Sequence, residues 1–192
     1  MGRRIVIIDG HPDPEEGRFC HALSAAYAQA AEAAGHELRT VMVARIVVPL
    51  LRSARDWNEG TPVPSIREAQ DMIAWAEHLV IIYPLWLGAM PALLKAYFEQ
   101  VFRPGFAIAR KQQGLGAGLL KGKSARIIVT MGMPAWLYRL FFRAHSLKSL
   151  ERNILKFCGI GPIHETLIGG VEDAKRREAG LAAVDALGRS GR

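Results

Sequence analysis

The sequence predicts an α/β protein with an open, parallel, five-stranded sheet and helices on both of its faces. Three observations carry this. Runs of strand length at 4–9, 37–43, 79–83, 125–130 and 162–168 alternate with segments of helical pattern. The third run, Leu79-Val80-Ile81-Ile82-Tyr83, is apolar without interruption, as suits a parallel strand buried on both faces. Strand and helix alternate throughout, which calls for right-handed crossovers and places any ligand beyond the carboxyl ends of the strands.

The first strand ends at the turn His11-Pro12-Asp13-Pro14. Residues 19–34 then form an alanine-rich helix, stopped by Gly35. After the second strand, 44–64 holds Pro, Ser, Asn and Gly and reads as a long loop. Ser65 stands three residues before Glu68, the spacing of a capping box for a helix through Glu77. Pro91 opens a helix that runs to Phe102. Residues 104–123 are glycine-rich and loop-like, and 137–157 read as one long helix ending at Gly159. The last strand is edge-like. A final helix covers 172–187, and 189–192 are expected to fray.

A chain of 192 residues, half of them apolar, suffices for one domain with a sizeable core. No apolar run approaches the roughly 20 residues that span a bilayer. The apolar stretch behind Arg3-Arg4 stops at Asp9, so it is a strand and not a leader. The two cysteines, Cys20 and Cys158, form no CxxC pair or disulfide framework, which points to reduced thiols in the cytoplasm. The net charge is +7, but the basic residues are scattered and no aromatic-interleaved basic stripe marks a nucleic-acid partner.

Two glycine patterns fail on context. Gly114-Leu115-Gly116-Ala117-Gly118 lacks the dinucleotide-loop spacing and follows no strand. Gly122-Lys123-Ser124 resembles the end of a P-loop, yet Ala117 stands where that motif needs glycine, and a strand follows instead of a helix. No histidine pair has metal-ligand spacing, so no metal is expected.

The loop after the third strand is more telling. Pro84-Leu85-Trp86-Leu87-Gly88-Ala89-Met90-Pro91 is apolar where loops are usually polar. A large planar ring lying on it, or packing of Trp86 against a helix, would account for that. Together with the helix Leu93-Leu94-Lys95-Ala96-Tyr97-Phe98-Glu99-Gln100-Val101-Phe102, this segment resembles the NAD(P)H:quinone oxidoreductase family of the flavodoxin-like fold. That family has a Pro-Leu-x-Trp loop here and a proline-initiated helix with Leu-Lys and Glu-x-Val-Phe. The match runs without a gap over 84–107 and, more loosely, over about 4–159.

The resemblance implies strand order 2-1-3-4-5, a bound flavin, FMN first with FAD as the alternative, and NAD(P)H as electron donor. His11 and the run Gly17-Arg18-Phe19-Cys20 would hold the flavin phosphates at a helix N-terminus. Pro84, Leu85, Trp86 and Leu87 would meet the ring. So would Thr130, Met131, Gly132 and Met133, which stand where the family has a Thr-Thr-Gly-Gly-like loop. Tyr138 and His145, seven apart on the predicted helix, would share a face and assist proton transfer.

Several positions depart from the pattern. Cys20 replaces an asparagine and Arg18 a small polar residue. Trp86 and Leu87 stand where vertebrate-type enzymes carry Gln and Trp. Ile108 and Arg110 replace two substrate-pocket tyrosines. The implied activity is hydride transfer to a small quinone-like acceptor by a ping-pong mechanism, in a homodimer without membrane insertion. The alternative is a flavin-bound regulatory subunit of a potassium efflux system.

Overall fold

A computed structural model describes residues 2–110 and 118–192. The glycine pattern at 114–118 therefore lies, but for Gly118, outside the described residues. The strands are β1 (Arg4–Asp9), β2 (Glu37–Met42), β3 (His78–Pro84), β4 (Ser124–Met131) and β5 (Ile163–Gly169). They form one sheet in the order β2-β1-β3-β4-β5, with every neighbouring pair parallel. All seven residues of β3 are buried, as its unbroken apolar sequence predicts. The edge strands β2 and β5 are largely open.

The helices are α1 (Phe19–Ala33), α2 (Ala54–Glu59), α3 (Pro64–Trp75), α4 (Ala92–Val101), α5 (Ala135–Leu140), α6 (His145–Ser149) and α7 (Ala174–Ser190). Alternation along the strands divides the core. Ile5, Ile7, Val80, Ile82 and Ile128 pack with Leu23 and Tyr27 of α1 and Val184 of α7. Val6, Ile8, Leu79, Ile81 and Ile127 pack on the other face with Ile66 and Ile73 of α3, Leu94, Tyr97 and Phe98 of α4, and Tyr138 and Leu147.

Five sequence expectations need correction. The stretch 44–64 is not a bare loop: it contains α2, capped by Ser53, which accepts from the Asp56 N–H at 3.0 Å. Arg103, almost fully buried, donates to Gly60 O at 2.5 Å and Asp56 O at 2.7 Å, tying down the end of α2. Ser65 does not cap α3. Pro64 takes the first helical position, where its fixed φ is pre-formed, so the cap moves to Val63, and Ser65 donates to Val47 O at 2.9 Å. The helix also stops at Trp75, which leaves Glu77 to accept from the Arg4 N–H at 3.0 Å.

The long helix over 137–157 is broken. Arg143 and Ala144 take left-handed φ values of 51° and 48°, separating α5 from α6, and 150–155 wind as a π-helix. The chain end does not fray. Helix α7 runs to Ser190, Arg3 Nη1 donates to Gly191 O at 2.8 Å, and Tyr27 Oη donates to Arg192 O at 3.3 Å.

Candidate functional site

Three loops meet at the carboxyl ends of β1, β3 and β4. They are fastened to one another by short contacts. Gly10 N–H, after β1, donates to Ile82 O of β3 at 2.7 Å, and Leu85 N–H, after β3, donates to Thr130 O of β4 at 2.8 Å. A Cβ on Gly10 would lie 2.6 Å from Leu94 Cδ2 and 3.1 Å from Ile82 O, so only glycine lets β1 turn so close to β3. The rings of His11 and Trp86 approach edge-on at 5.8 Å. Cys20 Sγ sits 3.4 Å from Thr130 Oγ1.

The loop after β1 leads into α1 without a side-chain cap. Among the described residues, the N–H groups of Gly17, Phe19 and Cys20 have no acceptor, while their neighbours Arg18 and His21 donate to Glu15 O and Arg18 O. Three unpaired donors at the N-terminus of a helix of 15 residues form a ready seat for an anion. His11, nearly buried, accepts the Asp13 N–H on Nδ1 at 3.1 Å. Burial first, and then the neighbouring His21, hold its pKa below the ordinary 6.5, so the ring is neutral with its proton on Nε2.

The side chains of Arg18, Phe19 and Cys20 point elsewhere. Arg18 pairs with Asp13, Nε to Oδ2 at 2.8 Å, and with Glu15. Phe19 lies under the Arg177 guanidinium, 5.0 Å away. Cys20 is buried, and burial pushes its thiol up to about 12, so it is an inert packing group. What this segment offers a ligand is backbone.

After β3, Trp86 and Ala89 exchange two hydrogen bonds of 2.9 Å across a tight turn. Leu87 and Gly88 fill its corners with φ of 47° and 76°, the geometry of a type I′ turn. Trp86 is about half exposed (49%), and Leu87 projects fully into solvent. After β4, the N–H groups of Gly132 and Met133 have no acceptor among the described residues, whereas Met131 O and Met133 O accept from Val171 and Gly170. A Cβ on Gly132 would meet only Glu172 Oε1, at 3.6 Å. The protein's own packing therefore does not require glycine there.

Tyr138 is buried, and its hydroxyl lies 2.8 Å from Ser146 Oγ and accepts from the Leu147 N–H at 3.4 Å. The break between α5 and α6 makes this contact. It carries His145 out to an exposed position and does not give Tyr138 and His145 a common helix face. Ser146, missed in the sequence, is the partner instead. No local pattern announced it, because no Gly or Pro marks the break.

Ile108 and Arg110 make their described contacts outside the three loops. Ile108 lines a pocket of about 190 Å³ with Trp57, Phe98, Phe102 and Phe157. The Arg110 guanidinium lies against Gly105, because Gly105 N–H donates to Ile108 O and folds the segment back on itself. The contacts that cross between the three loops are therefore His11 with Trp86, Cys20 with Thr130 and Leu85 with Thr130. The contacts described for Ile108 and Arg110 are with other residues.

Known proteins resemble this chain in sequence and in fold. An uncharacterized NAD(P)H oxidoreductase of Haemophilus influenzae is 33% identical over 125 residues, 64% of this chain and 61% of that protein. The chain therefore matches about three fifths of that relative's length. An FMN-dependent NADH:quinone oxidoreductase of Macrococcus caseolyticus is 25% identical over 97% of this chain and 99% of its own. The solved NAD(P)H:quinone oxidoreductase of Methanothermobacter marburgensis superposes with a TM-score of 0.82 over the whole of both chains, at 21% identity, a likeness of fold. The family model for the flavodoxin-like fold (Flavodoxin_2) matches residues 3–188, and the chain belongs to that family.

Proposed function

We propose that this chain binds a flavin mononucleotide across the carboxyl ends of β1, β3 and β4 and acts as an NAD(P)H:quinone-type oxidoreductase. One observation carries the reading. Unpaired N–H groups gather on both sides of the loop bearing Trp86: those of Gly17, Phe19 and Cys20 before α1, and those of Gly132 and Met133 after β4. The first set suits a phosphate. The second suits the ring edge where negative charge collects on reduction. Such a cofactor, when bound, supplies hydride transfer from NAD(P)H to the acceptor.

The chain's own groups then have distinct tasks. His11 would offer its Nε2 proton to the phosphate. Trp86 and Leu87 wall the cleft, and Thr130, steadied by Cys20, fixes the start of the β4 loop. Tyr138 holds a proton at its hydroxyl, with Ser146 as its hydrogen-bond partner. FMN is favoured over FAD because the near full-length relative from Macrococcus caseolyticus is named as FMN-dependent. Donor and quinone-like acceptor take turns in one cleft, a ping-pong pattern.

The proposal extends to the setting. The whole chain works as one domain in the cytoplasm, in keeping with two buried free thiols. No described helix is long and apolar enough to cross a membrane. The chain pairs as a homodimer through the exposed run Trp136, Leu140, Phe141 and Phe142.

The test is reconstitution of purified protein with FMN and with FAD, for wild type and Gly132→Val. A Cβ there meets only Glu172 Oε1, at 3.6 Å, so the variant should fold with stability within about 0.5 kcal/mol of wild type yet fail to hold flavin. Wild type that stays colourless sinks the proposal. Flavin binding without any NAD(P)H turnover is what the ancillary-subunit reading expects.

A further inference from the structure

Beneath the loop after β1 lies a closed polar network. Asp9, at the end of β1, is 1% exposed. Its Oδ1 accepts from the His11 N–H at 3.2 Å, and its Oδ2 accepts from Ser24 Oγ at 2.9 Å. His21 Nδ1 donates to the same Oδ2 at 2.6 Å, and His21 Nε2 donates to Asp13 O at 2.8 Å. One side chain of α1 thus spans the end of β1 and the loop four residues further on.

The consequence reaches the cleft through Asp13. Its N–H occupies His11 Nδ1 at 3.1 Å, which leaves the proton of that ring on Nε2. Its carboxylate receives Glu15 N–H on Oδ1 at 3.0 Å and Arg18 Nε on Oδ2 at 2.8 Å. Asp13 is therefore the node from which both His11 and the residues before α1 take their positions. His21 braces that node against a buried carboxylate.

We propose that His21 is a positioning residue for phosphate recognition: by strutting Asp13 against Asp9 it directs His11 Nε2 and the free amides of Gly17, Phe19 and Cys20 toward one phosphoryl group. This rests on the flavin reading above and assigns it a residue that touches neither ring nor phosphate. A purely structural buried pair would stabilise the fold without choosing between ligands. A positioning strut acts on phosphate affinity and leaves ring affinity alone.

FMN and riboflavin differ only in the phosphate, so their affinity ratio isolates the effect. The two bonds of His21 can be removed separately. Asparagine places its amide nitrogen near the position of Nδ1 and keeps the bond to Asp9 while losing Asp13. Glutamine reaches toward the position of Nε2 and does the reverse. Titrations of wild type, His21→Asn and His21→Gln with FMN and with riboflavin, followed by flavin fluorescence, give the ratios. The wild type should prefer FMN, and His21→Asn should cut that preference by about tenfold or more with riboflavin binding unchanged. His21→Gln should retain more of the preference than His21→Asn; if it does not fold, His21→Asn alone decides. An unchanged ratio in His21→Asn overturns the inference, as does equal loss of both ligands or the opposite order of the two variants. A wild type that binds neither flavin overturns the flavin reading and this inference together.

Discussion

Single residues show where burial controls protonation and where it controls access. His78 is buried at the start of β3, with Nδ1 2.8 Å from Ser124 Oγ. Burial, then Arg3, Arg126 and His164, lower its pKa from 6.5 to about 3. In the unfolded chain it takes up a proton near 6.5; folded, it refuses one until about 3. The unfolded state then binds more protons across that window, so stability rises with pH there and is lost as pH falls. Between pH 6.5 and 5 the unfolding free energy should drop by up to about 1.4 kcal/mol per pH unit. His78→Gln should flatten this slope in a denaturant series; parallel slopes would show that His78 contributes nothing. Tyr138 offers a kinetic case. If its hydroxyl holds a proton for the reaction, Tyr138→Phe should slow flavin reduction by roughly 10²–10⁴-fold with flavin affinity nearly unchanged. His145→Ala, at an exposed site, should change the rate little. An unchanged rate in the phenylalanine variant would reduce Tyr138 to a lining residue.

At the scale of elements, most of what positions the cleft was legible in local pattern. Leu79-Val80-Ile81-Ile82-Tyr83 announced a central strand, and Gly35, with φ of 83°, ended α1 as read. The apolar loop after β3 was legible by its composition, but its turn type was not, because a leucine at a left-handed corner contradicts the usual residue preference. That conflict yields a prediction. Leu87 sits at φ 47° with its side chain in solvent. Leu87→Asn should therefore relieve about 1 kcal/mol of backbone strain and raise the unfolding temperature. An unchanged or lowered temperature would mean that the leucine side chain is held by contacts the turn alone does not explain. The break at 143–144 was illegible for a different reason. Arg143 and Ala144 have good helix propensity, and the chain turns there because of contacts that propensity does not encode, with the Ala144 N–H donating to Tyr138 O at 3.1 Å and Ser146 held by the tyrosine hydroxyl. Helix α2 was missed although Ser53 and Asp56 carried the capping spacing, because the surrounding Pro, Asn and Gly read more strongly as loop.

For the whole molecule, the sheet order concentrates chemistry at one end. Placing β1 and β4 on either side of β3 brings residues more than a hundred positions apart into contact, as Cys20 and Thr130 show. The backbone donors of the cleft were legible only through the resemblance, since an unpaired N–H leaves no trace in residue type. Its support, the Asp9–His21–Asp13 network, was not legible at all: His21 reads locally as one more polar position on an alanine-rich helix. The exposed aromatic run at 136–142 bears on assembly. Light scattering should give twice the monomer mass at micromolar concentration, and Phe141→Glu should return the monomer; a wild-type monomer with flavin bound would contradict the dimer. The central claim, flavin-mediated electron transfer from NAD(P)H to a quinone, is tested most directly by anaerobic rapid mixing of the FMN-reconstituted protein with NADH or NADPH and then with a soluble quinone. Bleaching of the flavin absorbance by the nicotinamide, followed by its full return on adding quinone, is the predicted result, and a flavin that stays oxidised in the presence of both nucleotides would contradict it.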